Sequence, residues 1–149
     1  TVAGLLPRAN SKGALKANPS GLRALGLRPR PRGAGVAIFH LSVNLISRKA
    51  GRSSTAAAAY RAAERIEDER TGEVHDYRRR SGVESAELVL PSGVEWQPQR
   101  AEFWNAVETK NKRADAQVAR EFVVALPAEL DAGERRDLAV QFAGVMADR

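Results

Sequence analysis

The stretch Ser53-Ser54-Thr55-Ala56-Ala57-Ala58-Ala59-Tyr60-Arg61-Ala62-Ala63-Glu64-Arg65-Ile66 fixes where the first helix lies. Its three hydroxyl residues are N-cap candidates, because a short side-chain oxygen accepts from the unsatisfied N–H groups of a first turn. The four alanines that follow have the highest helix propensity and remove bulk from the surface. The pattern predicts a helix over roughly residues 54–67, with Tyr60 about two turns in and Arg61 beside it. The preceding loop is basic through Arg48, Lys49 and Arg52, and the helix N-terminus adds partial positive charge. A phosphate backbone could approach the Tyr60 phenol across that small, positive surface. From spacing alone, a tyrosine at the edge of the core with its hydroxyl in water is the commoner reading.

Upstream of this stretch, Val36 to Ile46 alternates, with Phe39, Leu41, Val43 and Leu45 on one side and His40, Ser42 and Asn44 on the other. That is the pattern of a half-buried strand with a polar face. Downstream, Thr71-Gly72 marks a turn into a short extended segment at 73–77, followed by Arg78-Arg79-Arg80. Ser85 to Leu90 alternates again and stops at Pro91, which predicts a second strand. Arg100 to Lys112 places Phe103, Trp104 and Val107 at helical spacing, and Gln117 to Leu126 reads as a third strand ended by Pro127. Asp131 and Glu134 form a capping-box pair ahead of Leu138, Phe142, Val145 and Met146, which fall on one face of a last helix. The expected order is strand, helix, strand, helix, strand, helix, with no internal repeat.

A chain of 149 residues with 43% hydrophobic content is long enough for one compact domain with a tail. The absence of cysteine rules out a disulfide framework and thiolate metal sites, and fits a reducing cytoplasm. No apolar run approaches the length of a membrane span, and no signal-peptide pattern opens the chain. Net charge is +6, but it is unevenly placed. Residues 1–35 hold seven of the 24 basic residues and no acid, so residues 36–149 carry 17 − 18 = −1. Nucleic-acid binding by the folded part would therefore depend on local clusters. Residues 1–35, rich in Gly, Pro and Arg without a sustained period, are expected to be a disordered basic extension.

Among the acids, Glu121 in Arg120-Glu121-Phe122 falls in a predicted core strand, where an unpaired carboxylate would be costly. A salt bridge to an arginine accounts for it as well as a functional role does; Glu87 is a weaker candidate. Trp96 and Trp104 could stack on bases, although Trp104 at helical spacing with Phe103 and Val107 is more often core. Arg78, Arg79 and Arg80 read either as a DNA clamp or as a solvated loop.

Several blocks together resemble the start of the MobA/MobL relaxases, most closely the TraA-type conjugal transfer proteins. They are Ala37-Ile38-Phe39-His40-Leu41-Ser42-Val43; Ser47 through Ala62; Asp68 through Tyr77; Gly82-Val83-Glu84; Leu88-Val89-Leu90-Pro91; Phe103-Trp104-Asn105; and Ala119 through Leu130. The resemblance covers residues 36–149 as the N-terminal part of a relaxase domain, incomplete at its C-terminus. It implies an α+β fold like that of relaxases and Rep nucleases: an antiparallel sheet with helices packed on one face and single-stranded DNA received on the other. Family members begin near Ala37, so residues 1–35 are expected to lie upstream of the working protein, with Val36 in the place of an initiator.

The activity implied is strand-specific nicking of plasmid DNA for conjugative transfer. A tyrosine hydroxyl attacks the scissile phosphate and leaves a 5′-phosphotyrosyl bond, and the family's nucleophile falls on Tyr60. An ordinary phenol titrates near pH 10, so attack near neutrality needs help worth roughly 4 kcal/mol. In the family that help comes from a divalent metal, Mg or Mn, held by three histidines further along. This chain has only His40 and His75, without metal-triad spacing, so no metal ligand is assigned here and hydrogen-bonding or structural roles are expected for both. Glu121 could then orient a ligand histidine or a base. DNA contacts are expected from Arg48, Lys49, Arg52, Arg61, Arg78, Arg79 and Arg80. Partners would be single-stranded DNA at a transfer origin and accessory transfer proteins, in the cytoplasm and away from membranes. A DNA-binding module that never cuts, and an assembly role without nucleic acid, remain the rival classes.

Overall fold

The computed structural model describes residues 2–7 and 40–148. The chain runs β1 (Val2–Pro7), β2 (Leu41–Ser47), α1 (Ser54–Ala62), β3 (Arg65–Asp68), β4 (Glu73–Asp76), α2 (Arg100–Lys110), β5 (Gln117–Val124) and α3 (Ala132–Ala147). A three-stranded antiparallel sheet has the order β1-β5-β2, and β3 and β4 form a separate hairpin. This is the expected α+β class with antiparallel pairing.

Sheet register decides which side chains face α1. Ile46 stands opposite Ala119 and Asn44 opposite Glu121, so these four share one face of β2 and β5. Much of the core gathers there: Ile46 and Ala119, with Val118 at the register shift opposite Ile46 and Ser47, pack with Ala58 and Ala59 of α1, Ile66 of β3 and Trp104 of α2. Burying each of the larger aliphatic side chains contributes about 1.5–3 kcal/mol. The alanines are there for proximity: Ala58 and Ala59 are buried in the core, while Ala56 and Ala57, one turn ahead of Tyr60, are half-buried and line the cleft. Ser53 caps α1 by accepting from the Ala56 N–H at 3.1 Å, as its hydroxyl predicted.

Four expectations change. The helix stops at Ala62, four to five residues early, because Ala63 turns left-handed at φ 54° and the chain enters β3. Long-range packing overrides the local propensity there, since Ile66 and Asp68 both end almost fully buried. Ser85 to Leu90 forms no strand. An alternating pattern needs a neighbouring ladder to become one, and here the segment is tied instead to α3, by Glu84 to Arg135 and Glu87 to Arg136. The reading of residues 1–35 as disordered gives way at Val2–Pro7, which pair along β5 in antiparallel register. The expected apolar side of the first strand is the exposed one, with Leu41, Val43 and Leu45 about half exposed, while the alternate side carrying Asn44 and Ile46 turns to the core. Residues 36–39 of that strand, like residues 8–35, lie outside the described residues.

The helices also divide between the faces. α1 and α2 pack on the expected single face, but Phe142 of α3 meets Phe122, whose side chain alternates to the other side from Glu121, at 6.0 Å between ring centres. The capping box of α3 forms as predicted through Asp131 and Glu134, but α3 buries no residue fully, and Val145 of its expected core face is 52% exposed.

Candidate nucleic-acid interface

Tyr60 leaves the outer side of α1 with 40% of its surface exposed. Its ring meets the edge of Tyr77, which follows β4, at 5.2 Å and 89°. Two guanidinium groups lie on the ring: Arg80 at 4.3 Å and Arg61 at 5.1 Å from the centroid. The phenol opens into a cleft of about 560 Å³ between α1, the β3–β4 hairpin and the sheet. Arg52, Arg61, His75, Tyr77 and Glu121 line it with Tyr60. Residues 61 positions apart in sequence, Tyr60 and Glu121, thus share one concavity. The cleft lies on the side of the sheet that α1 covers.

Glu121 is 3% exposed and well partnered. Its carboxylate accepts from Asn44 Nδ2 at 3.2 Å and from Arg61, and lies 3.8 Å from Arg52. A buried carboxylate with cationic partners is a stable arrangement, and it also fixes where those cations point. Among the described residues, Arg61 Nε beside the cleft and His75 Nε2 are enclosed without a hydrogen-bond partner.

The seven predicted basic contacts separate sharply. Arg48 is corrected outright: its guanidinium makes five hydrogen bonds inside the protein, to Glu108 through Nε at 3.1 Å and Nη2 at 2.7 Å, to the Glu108 carbonyl at 2.5 Å, and to the carbonyls of Asn111 and Arg113. A guanidinium has five N–H donors, so none is left for a phosphate. Arg48 in effect caps the C-terminus of α2. Arg78 chelates Asp76, at 3.0 Å from Nε and 2.6 Å from Nη2. That pair holds the Asp76 carboxyl down to about 2, first through the Arg78 side-chain hydrogen bond and then through the Arg78 N–H. Arg52 and Arg61 share Glu121. Lys49 and Arg79 are exposed and do not line the Tyr60 cleft. Arg80 lies on the Tyr60 ring.

Sequence reasoning missed Glu108, which is 1% exposed and holds the site together. Besides Arg48, it accepts from the N–H and Oγ of Ser54 at 2.6 and 2.7 Å, at the start of α1. The available signal was its spacing from Trp104, four residues earlier on the buried side of α2. Asp68, also missed, accepts from Thr55 Oγ1 at 2.9 Å. Glu87 goes to Arg136, Trp96 donates to Glu102 at 3.3 Å, and Trp104 is core at 3% exposure. His40 is exposed and His75 enclosed. No group of three or more His, Cys, Asp or Glu that could hold a metal occurs among the described residues, so the donors described here do not fit the metal of the resemblance.

A family model for MobA/MobL matches residues 52–147, which contain Tyr60, Arg80 and Glu121. The chain belongs to the MobA/MobL family. Among MobA/MobL relatives, the mobilization protein MobL of Acidithiobacillus ferridurans is 56% identical over 114 residues, covering 76% of this chain and 30% of the relative. The conjugal transfer protein TraA of Rhizobium radiobacter is 39% identical over 118 residues, covering 72% of this chain and 11% of that one. This MobA/MobL chain thus spans less than a third of the length of either relative. A solved structure described as "Molecular Basis of Vancomycin Resistance Transfer in Staphylococcus aureus" superposes with a TM-score of 0.63 at 32% identity, over 72% of this chain and 55% of that one. Among the described residues no helix is long and apolar enough to cross a membrane.

Proposed function

We propose that this MobA/MobL chain carries the nucleophile of a DNA relaxase, with Tyr60 attacking one phosphodiester of a single strand at a transfer origin. The observation that carries the reading is the exposed phenol of Tyr60 in a cleft it shares with Arg52, Arg61 and the buried Glu121. In the reaction, the Tyr60 Oη–P bond forms and the P–O3′ bond breaks. The phenolic proton passes to a base and the departing 3′-oxygen takes one up. The phosphotyrosyl bond stores the energy for rejoining, so the same step runs backwards to reseal the strand.

Glu121 is a positioning residue in this scheme. It holds Arg61 and Arg52 side by side, so the entering phosphate meets donors whose places are already fixed. A divalent cation and accessory transfer proteins belong to the proposal as contributions of the longer protein, and no step above passes through them.

The test is a covalent adduct between protein and a labelled single-stranded transfer-origin oligonucleotide, in the chain continued to the length of its relatives. Tyr60→Phe is expected to abolish the adduct while leaving oligonucleotide affinity within about threefold. An adduct that persists in Tyr60→Phe overturns the assignment. Strand binding without any adduct in the unsubstituted protein would instead favour the binding-module class.

A further inference from the structure

Five of the arginines on and around the cleft have their charge met by a carboxylate, Arg70 through a 3.9 Å contact with Glu108. Arg48 faces Glu108, Arg52 and Arg61 face Glu121, and Arg78 faces Asp76. Arg80 differs. It ends the turn closed by its own N–H to the Tyr77 carbonyl at 2.8 Å, and this turn carries its side chain back over α1. There the guanidinium carbon rests 4.3 Å from the centre of the Tyr60 ring, closer than that of Arg61. Among the described residues the guanidinium has neither a hydrogen-bond acceptor nor a carboxylate partner.

A cation stacked on a phenol ring is held without using its N–H donors, which lie in the guanidinium plane. Arg80 is therefore placed by Tyr60 and chemically unspent. We infer that Arg80 is a catalytic residue of the nicking reaction, moving from the Tyr60 ring to hydrogen-bond the two nonbridging oxygens of the phosphate that Tyr60 attacks. This rests on the relaxase reading of Tyr60 and adds a second group to it. The phenolic oxygen is on the rim of the ring that Arg80 covers, so a phosphate at that oxygen is reached by rotation of the Arg80 side chain. In-line attack builds charge on the nonbridging oxygens, and a planar fork of donors matches a pair of them. Arg80 gives up no atom or proton; the bonds made and broken remain Tyr60 Oη–P and P–O3′.

The inference also separates three neighbouring arginines that look alike in sequence. Arg78 is spent on Asp76, Arg79 stands in solvent as a general contact to the strand, and Arg80 acts at the reacting phosphate.

The experiment compares Arg80→Ala, Arg80→Lys and Arg79→Ala in the full chain, with single-turnover adduct formation and oligonucleotide affinity measured side by side. Arg80→Ala is expected to slow adduct formation by about 10²–10³-fold while affinity changes less than about fivefold. Arg80→Lys is expected to recover only part of the rate, because an ammonium keeps the charge but lacks the fork. Arg79→Ala is expected to weaken binding and flatten its salt dependence, a loss read in affinity where that of Arg80→Ala is read in rate. Melting curves for Arg80→Ala and Arg80→Lys that overlay the unsubstituted protein show that both fold.

Adduct formation by Arg80→Ala at the unsubstituted rate overturns the inference and leaves Tyr60 untouched. Full rescue by Arg80→Lys overturns the bidentate contact. If the unsubstituted protein forms no adduct, the relaxase reading fails, and this inference fails with it.

Discussion

Glu108 and Glu121 are both nearly dry, at 1% and 3% exposure, and each is paired with arginine, yet they stand in different kinds of place. Glu108 is sealed. Arg48, whose side chain is 9% exposed, closes one side and the Ser54 N–H and hydroxyl close the other, with the half-exposed Arg70 only in a longer 3.9 Å charge contact. Those contacts join the end of α2, the loop after β2 and the start of α1. Glu121 is equally buried itself, but its partners are half open: the side chains of Arg61 and Arg52 are 29% and 45% exposed and line the Tyr60 cleft. Burial of a carboxylate therefore does not distinguish structure from function. The exposure of the arginine that hydrogen-bonds it does, 9% for Arg48 against 29% for Arg61, because a cation that reaches solvent can also reach a phosphate. Asp76 completes the series, paired with Arg78 in open water.

The largest effect should come from the sealed pair. Glu108→Ala strands Arg48 without a countercharge, and we expect it to cost about 3–5 kcal/mol in urea unfolding, as breaking a buried pair does. A loss below about 1 kcal/mol would mean that the pair is not sealed. Glu121→Gln keeps the shape of the side chain and leaves Arg61 and Arg52 access to water. Its stability cost should be about 1.5–3 kcal/mol, the range for a hydrogen bond to a charged group, while single-turnover adduct formation falls on the order of 10²-fold as the arginines lose their fixed placement. Equal destabilisation by the two substitutions would erase the contrast between them.

The smallest effect belongs to Asp76, whose carboxyl should titrate at about 2, measured by carbon NMR against pH. Arg78→Ala should return the midpoint towards the ordinary 3.8. The sign follows from a depressed acid: whatever the pair adds to stability is complete above pH 3.8 and disappears as pH falls through about 2. Because the pair lies in open water, thermal melting near neutral pH should not register the substitution.

Legibility in the sequence followed the range of the interaction. The serine cap and alanines of α1, the capping box of Asp131 and Glu134, and the presence of strands at β2 and β5 depend on neighbours a few residues away, and they were readable; which face of β2 is buried was not, since Leu41, Val43 and Leu45 stay about half exposed. The early end of α1 was not, because Ala63 is left-handed only so that Ile66 and Asp68 can be buried. Nor was the failure of Ser85–Leu90 to make a strand, which depends on having no ladder beside it. Glu121 could be picked out as an acid in a core strand; Glu108 needed its spacing from Trp104 on α2 to be read as a sign of burial.

By itself the sequence determined which residue types were available: one tyrosine on an alanine helix, a buried-strand glutamate, and a set of arginines rich enough to bind phosphate. It also determined the family, through ordered blocks matched over residues 52–147. Only the tertiary structure decided which arginines are spent. Arg48 and Arg52 sit four residues apart in one loop and both border the cleft, but Arg48 has all five donors engaged within the protein while Arg52 makes one 3.4 Å hydrogen bond and a 3.8 Å ion pair. The physical reason is that a guanidinium's availability depends on which carboxylates and carbonyls fold against it. For Arg48 those groups come from α2, some 60 residues away in the chain.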